Sequence, residues 1–205
     1  MLKHQISIAP PKSTLELNNY LNWLQEFSVK ILKEGDDVEG LLVLCGGPDL
    51  GVNEERDVLE FKWLQEALDK NIPVLGVCRG MQLINHFLGG IVADLDALIV
   101  EDHTSDLFKD DACHNERISS FHWVKDIRNG ELFVTNSRHH QHCTHLSEEL
   151  ISTHVSFDGS IEAYKNLNNT ILGIQWHPER NEKIIEDGYW KQMPLIWIKD
   201  FLKQN

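Results

Sequence analysis

The sequence predicts an α/β fold of three layers. Helices should cover both faces of a mostly parallel central sheet with an antiparallel C-terminal portion. Three observations predict it. Near-continuous apolar runs at Leu41–Cys45 and Val74–Val77 have the character of strands buried on both faces. Each is followed by a helical pattern, Glu54–Lys70 and Arg79–Leu88, the alternation that builds parallel sheets. Between about Phe121 and Ile174 the pattern becomes short strands separated by Asn129-Gly130 and Asp158-Gly159, both hairpin signals.

Taken in order, Gln5–Ala9 reads as a short first strand closed by Pro10-Pro11. Ser13 lies three residues before Glu16, a capping-box spacing that opens a helix through about Phe27. Ser28–Leu32 follows as a second strand. The Leu41–Cys45 run ends in a turn at Gly46-Gly47-Pro48-Asp49. In the Glu54–Lys70 helix the predicted buried stripe is Val58, Phe61, Leu64 and Leu68, and the acidic first turn suits the helix dipole. Asn71 and Pro73 stop it, and Gly89-Gly90 stops the next helix. Ile91-Val92-Ala93 is followed by an acidic stretch, Asp94–Asp111, read as an exposed excursion; the 94–120 region and the loops near 49–53 are expected to shape part of a binding pocket. Leu195–Leu202 closes the chain as a helix.

At 205 residues, the whole span 1–205 is expected to form a single domain. The formal charge of −13 comes with no basic stripe, which argues against a nucleic-acid partner. No apolar run follows Met1-Leu2-Lys3-His4, so no secretory signal is expected, and no stretch is long enough to span a bilayer. Cys45, Cys78, Cys113 and Cys143 form no CxxC pair. A reducing, cytoplasmic setting with no membrane partner is the expectation.

Chemistry concentrates at Gly76-Val77-Cys78-Arg79-Gly80, where a buried strand meets a helix. This is the arrangement of a nucleophile elbow, with cysteine in the serine position. Small residues on either side let the backbone bend sharply, and the helix N-terminus directs its unpaired N–H groups at the sulfur, favouring the nucleophilic thiolate. A buried cysteine in an ordinary turn has the same local pattern. The second element is Gly173-Ile174-Gln175-Trp176-His177-Pro178-Glu179, which places a histidine and an acid two apart at a strand end. A cysteine nucleophile needs a base, and the base an orienting acceptor.

These two segments, together with Gly46-Gly47-Pro48-Asp49, resemble in sequence and order the class I glutamine amidotransferases, whose flavodoxin-like fold the chain is then expected to share. The resemblance covers roughly residues 38–180. It implies a catalytic triad of Cys78, His177 and Glu179, a glutamyl-thioester intermediate, and an oxyanion hole of backbone N–H groups from Gly46, Gly47 and Arg79. Arg79 after the nucleophile, Arg56-Asp57 with Glu60, and Asn136-Ser137-Arg138-His139-His140-Gln141 are similar to the γ-glutamyl hydrolase subgroup, peptidase C26. That subgroup includes hydrolases of γ-glutamyl-γ-aminobutyrate, and a compact relative acting on a γ-glutamyl nucleotide amidate fits as well. Cys45 departs from the proline or serine more usual before the two glycines.

The resemblance therefore implies a cysteine-dependent hydrolase that splits a small γ-glutamyl amide into glutamate and an amine. Gln82, His139, His140 and Gln141 are expected to contact the glutamyl part, and Arg79 to meet a substrate carboxylate. The alternative is a glutaminase subunit delivering ammonia to a separate synthetase, with a non-catalytic sensor or scaffold as a third reading. The length expected for one such domain leaves no room for a fused synthetase. No cofactor is implied. The cluster His139-His140-Gln141-His142-Cys143 lacks a second ligand pair with closed-site spacing, so no metal is expected, and His142 and His145 read as solvated polar residues. Cys113 and Cys143 read as structural cysteines, and Trp23, Trp63 and Trp197 as packing residues. Beyond the small-molecule substrate, a homodimer is the partner expected; a synthetase enters only under the alternative.

Overall fold

The structure is a computed structural model that describes residues 5–96, 103, 119–180, 182 and 188–204. Most of the predicted 94–111 excursion lies outside the described residues, as do Cys113 and His114. A nine-stranded sheet runs in the order β2-β1-β3-β4-β11-β10-β9-β6-β7. Strands β1 (Gln5–Ala9), β2 (Ser28–Ile31), β3 (Leu41–Leu44), β4 (Val74–Val77) and β11 (Ile171–Ile174) pair in parallel. From β11 onward the pairings with β10 (Ile161–Asn166), β9 (Leu150–Ser156), β6 (Ser120–Asp126) and β7 (Leu132–Ser137) are antiparallel. The predicted turns sit between partners: Gly130 joins β6 to β7 and Gly159 joins β9 to β10, both at positive φ.

The period-two alternation of the strands divides the apolar residues between two cores. Leu41, Val43, Leu75 and Val77 face α1 (Thr14–Trp23) and α4 (Tyr189–Gln204). Leu42, Leu44 and Val74 face α2 (Glu54–Asp69) and α3 (Arg79–Phe87). The three layers follow. Trp63 and Trp197 are packed in these cores and Trp23 lies against one of them. A second, two-stranded sheet pairs β5 (Ile91–Asp94) with β8 (Gln141–His145) beside α3. Asn85 of α3 pins it, donating to the Ile91 and His145 carbonyls.

Three elements differ from the sequence reading. Helix α1 is capped by Ser13 as expected, but ends at Trp23 rather than Phe27. The buried face of α2 is Asp57, Glu60, Trp63, Leu64 and Ala67, whereas Val58 is 51% exposed. The apolar stripe is displaced because two carboxylates take interior positions opposite arginines. Helix α4 starts six residues earlier than predicted, with Pro194 inside it. Proline cannot donate to the carbonyl four residues back. That carbonyl, of Trp190, accepts the indole N–H of the fully buried Trp176 at 2.7 Å instead.

The sheet and α3 approach each other closely at the strand–helix junction. A Cβ added to Gly80 would lie 2.1 Å from the Leu44 carbonyl oxygen. Gly80→Ala is therefore expected to destabilise the fold by about 1–3 kcal/mol or more, read as a lowered urea midpoint with an unchanged slope.

Candidate active site

Strands β4 and β11 lie side by side with Val77 opposite Ile174, so the residues just past both ends share one rim of the sheet. In open α/β sheets that rim is where ligands bind. Cys78 follows Val77 at once and sits at φ 52°, ψ −109°, a sparsely populated conformation for a side-chain-bearing residue. Its N–H donates to the Ile174 carbonyl, locking the bend to the neighbouring strand. Cys78 is also the N-cap of α3, so the sulfur stands at the positive end of that helix.

The other side of the rim carries His177 and Glu179, both buried. The His177 Nδ1–H donates to Glu179 Oε1 at 2.7 Å, which fixes the tautomer and turns Nε2 away from the carboxylate. Cys78 flanks the imidazole on the other side of Gly46, where a Cβ would touch both side chains. Burial opposes a charge on the imidazole, but Glu179 and then Cys78 outweigh it and raise His177 to about 9. Burial would likewise raise the Glu179 carboxyl, and His177 together with Arg180 brings it below its ordinary value. The structure thus brings the three predicted triad residues together in the order thiol, imidazole, carboxylate.

Residues outside the sequence expectation complete the frame. Asn136 of β7 grips the His177 backbone twice, accepting from its N–H at 2.9 Å and donating to its carbonyl at 3.0 Å. Gln175 donates to Cys78 Sγ at 3.5 Å. Both stand inside segments already singled out, but only their partners across the sheet reveal a task. Tyr20 of α1 had no sequence signal; its hydroxyl accepts the Gly46 N–H at 3.0 Å. Gly46 lies between the two reactive side chains, and a Cβ there would meet His177 Cε1 at 3.0 Å and Cys78 Cβ at 3.7 Å.

A cavity of about 180 Å³ opens in front of Cys78, walled by Gly47, Asp49, Gln82 and the Arg138–Gln141 run. Residues 36–179, which span this cavity and all three reactive side chains, match the peptidase C26 family.

The chain belongs to the peptidase C26 family. A glutamine amidotransferase-like protein of Lactococcus lactis is 31% identical over 190 residues, covering 87% of this chain and 75% of that protein. A gamma-glutamyl-CDP-amidate hydrolase of Campylobacter jejuni is 30% identical over 145 residues, covering 68% of this chain and 62% of that one. Among solved structures, a GMP synthase subunit from Thermoplasma acidophilum superposes with a TM-score of 0.71 at 18% identity, across 100% of this chain and 96% of that one. The fold is the class I glutamine amidotransferase fold expected from the motifs.

Within this peptidase C26 fold several sequence expectations are corrected. The Gly46 N–H is committed to Tyr20, so Gly46 drops out as an oxyanion donor. Arg79 borders the cavity, but its guanidinium is buried and held by Asp57 and Glu60, where it cannot meet a substrate carboxylate. The side chain of Gln82 donates to the Gln141 carbonyl and to Gln175. Both ring nitrogens of His139 are engaged, by His103 and by the Gln141 carbonyl. The Gln141 amide donates to Asp94. These groups shape the wall rather than present donors to a ligand, because buried polar atoms take internal partners. His140 remains at the surface and meets Asp49 across the cavity at 2.8 Å. His142, expected to be solvated, lies on β8 and is half-buried; His145 is exposed on the same strand. Cys143 is buried, and burial pushes its thiol up to about 12, as suits a structural cysteine. Among the described residues no helix is long and apolar enough to cross a membrane.

Arg79→Met leaves Asp57 and Glu60 buried without their main counter-charge. The expected cost is about 3–5 kcal/mol, measured by urea unfolding. For His177 the raised pKa belongs to the folded state. Its contribution to stability is complete below about pH 6.5 and is lost as pH rises through about 9. Ring-proton NMR should show His177 still charged at neutral pH, and Glu179→Gln should move its titration midpoint down.

Proposed function

We propose that the chain is a cysteine-dependent hydrolase of γ-glutamyl amides, cleaving a small γ-glutamyl compound to glutamate and an amine. The observation that carries this reading is a buried imidazole set between a strained-elbow thiol and a buried carboxylate, with the thiol lining a small cavity. Cys78 attacks the γ-carbonyl carbon as thiolate, and the carbonyl π-electrons move to oxygen. His177, charged and held by Glu179, gives its proton to the departing amine as the C–N bond breaks. The product left on the enzyme is a glutamyl thioester. Water then adds to it, losing a proton to the now neutral His177, and the C–S bond breaks to release glutamate and regenerate the thiolate–imidazolium pair.

The oxyanion formed in each half-reaction is assigned to the N–H groups of Gly47 and Arg79. The latter is one of the first N–H groups of α3, which lack intrahelical partners. Arg138 also borders the cavity, beside Asp49 and His140. His140 and Asp49 bridge the entrance and are placed to admit or retain the leaving amine. The name of the Campylobacter relative supports a γ-glutamyl amidate as one substrate class. A reducing cytoplasm, keeping the Cys78 thiol free, is the compartment we assign.

The test is release of glutamate and amine from glutamine and a panel of γ-glutamyl amines and amidates. Wild type should turn over a γ-glutamyl amine without any added protein. Cys78→Ala should abolish turnover, and Glu179→Gln should lower kcat by roughly 10²–10⁴-fold, as loss of an orienting carboxylate does elsewhere. Hydroxylamine should trap the thioester as a hydroxamate in wild type only. Activity on glutamine that appears only with an added synthetase would favour the glutaminase-subunit reading instead. Equal activity in wild type and Cys78→Ala would overturn the assignment.

A further inference from the structure

A second cluster of ionisable side chains lies behind the cavity wall, away from Cys78. It gathers His103, His122 of β6, His139 and Glu162 of β10, and the Glu162 side chain is only 1% exposed. Potential ligand atoms of His103, His122 and Glu162 all lie within 4.8 Å of one another. The outer hydrogen bonds determine what faces inward. His103 Nε2 is 2.6 Å from the Asp158 carboxylate, so it carries the proton and leaves Nδ1 as a bare lone pair. His139 Nδ1 is 2.9 Å from the Gln141 carbonyl, so it too carries the proton and leaves Nε2 bare. Those two lone pairs face each other at 3.1 Å.

Glu162 adds more acceptors to the same point. Its oxygens stand 3.6 Å from His103 Nδ1, 3.6 Å from His139 Nε2 and 3.5 Å from His122 Nε2. Neither oxygen makes a hydrogen bond. One proton could join one pair of these acceptors and would leave the rest facing each other. A cation among His103, His122 and Glu162 satisfies their acceptors, with His139 Nε2 beside it. The spacing agrees: two ligand atoms on a tetrahedral zinc, each at ~2.0–2.1 Å, stand roughly 3.3 Å apart. Asp158 behind His103 and the carbonyl behind His139 are the outer partners that metal-bound histidines typically have. A cavity of about 220 Å³, lined in part by His103, His122 and Asp158, gives an entry route.

We propose that His103, His122 and Glu162, completed by His139, bind a divalent transition-metal ion of the zinc class. Two ligands come from neighbouring parts of the antiparallel half, β6 and β10, and the ion ties them to His103 and to the 138–141 wall of the cavity. Its place is structural, since the thiol and imidazole chemistry at Cys78 needs no metal.

The chelator-treated chain, dialysed against zinc(II) and then against cobalt(II), tests this by elemental analysis and visible absorption. Wild type and Cys78→Ala should each retain a single equivalent of either ion, and cobalt should show a four-coordinate spectrum without a thiolate charge-transfer band. His145→Ala, altered at an exposed histidine, should bind as wild type does. Glu162→Gln and His122→Ala should lose at least tenfold in affinity. Wild type that retains neither ion overturns the proposal, whether or not the variants fold. So does retention in folded Glu162→Gln and His122→Ala equal to that of wild type. Neither result depends on γ-glutamyl hydrolysis.

Discussion

Two guanidinium groups and two carboxylates, buried or largely buried between α2, α3 and the Cys45–Gly47 loop, hold the candidate site in shape. Arg79, immediately after Cys78, reaches back to Asp57 and Glu60, while Arg56 pairs with Glu60 and donates to the carbonyls of Cys45 and Gly46. Asp57 also accepts from the Gly51 N–H at 2.7 Å, drawing in the far end of the same loop. The charges balance, two against two, which is the condition for burying them. Apolar side chains of equal volume would serve stability as well. They would not aim the loop carbonyls away from the cavity or anchor the first turn of α3. Position, not stability, is what the network supplies.

The two halves of the sheet divide the remaining work. The parallel half provides the bend at Cys78 and, through β11, the strand end that carries His177. The antiparallel half provides what steadies His177: Asn136 on β7 holds its backbone, and β6 and β10 carry the histidine–carboxylate cluster behind the cavity wall. Trp176, buried between them and bonded to the carbonyl that Pro194 leaves over, fixes the rung just before His177.

What could be read in the sequence was whatever is local. The elbow needs five consecutive residues, and His177 and Glu179 are two apart, so these segments stand out before any folding. The strands and hairpin turns were legible for the same reason. The buried face of α2 was not, because Asp57 and Glu60 count as solvent-facing until Arg79 is known to lie opposite them. The commitment of Gly46 to Tyr20 depends on a contact across 26 residues. The histidine cluster is assembled from positions 103, 122, 139 and 162, with no ligand spacing for a motif to detect. Of the adjacent histidines 139, 140 and 142, only His139 joins that cluster, through His103 and Glu162.

The position of β11 has a consequence for how the chain folds. It is the centre of the sheet, yet it is made almost last, and its partner β4 precedes it by 97 residues from Val74 to Ile171. Until β11 arrives, the parallel half ends in an open edge at β4, an apolar strand with unpaired N–H and carbonyl groups. Closing so long a loop is slow, and an open edge invites pairing with other chains. Pairing of β11 with β4 therefore both covers that edge and brings His177 beside Cys78. A chain halted before that step keeps Cys78 and His177 apart, so closing the sheet and assembling the candidate site are one event.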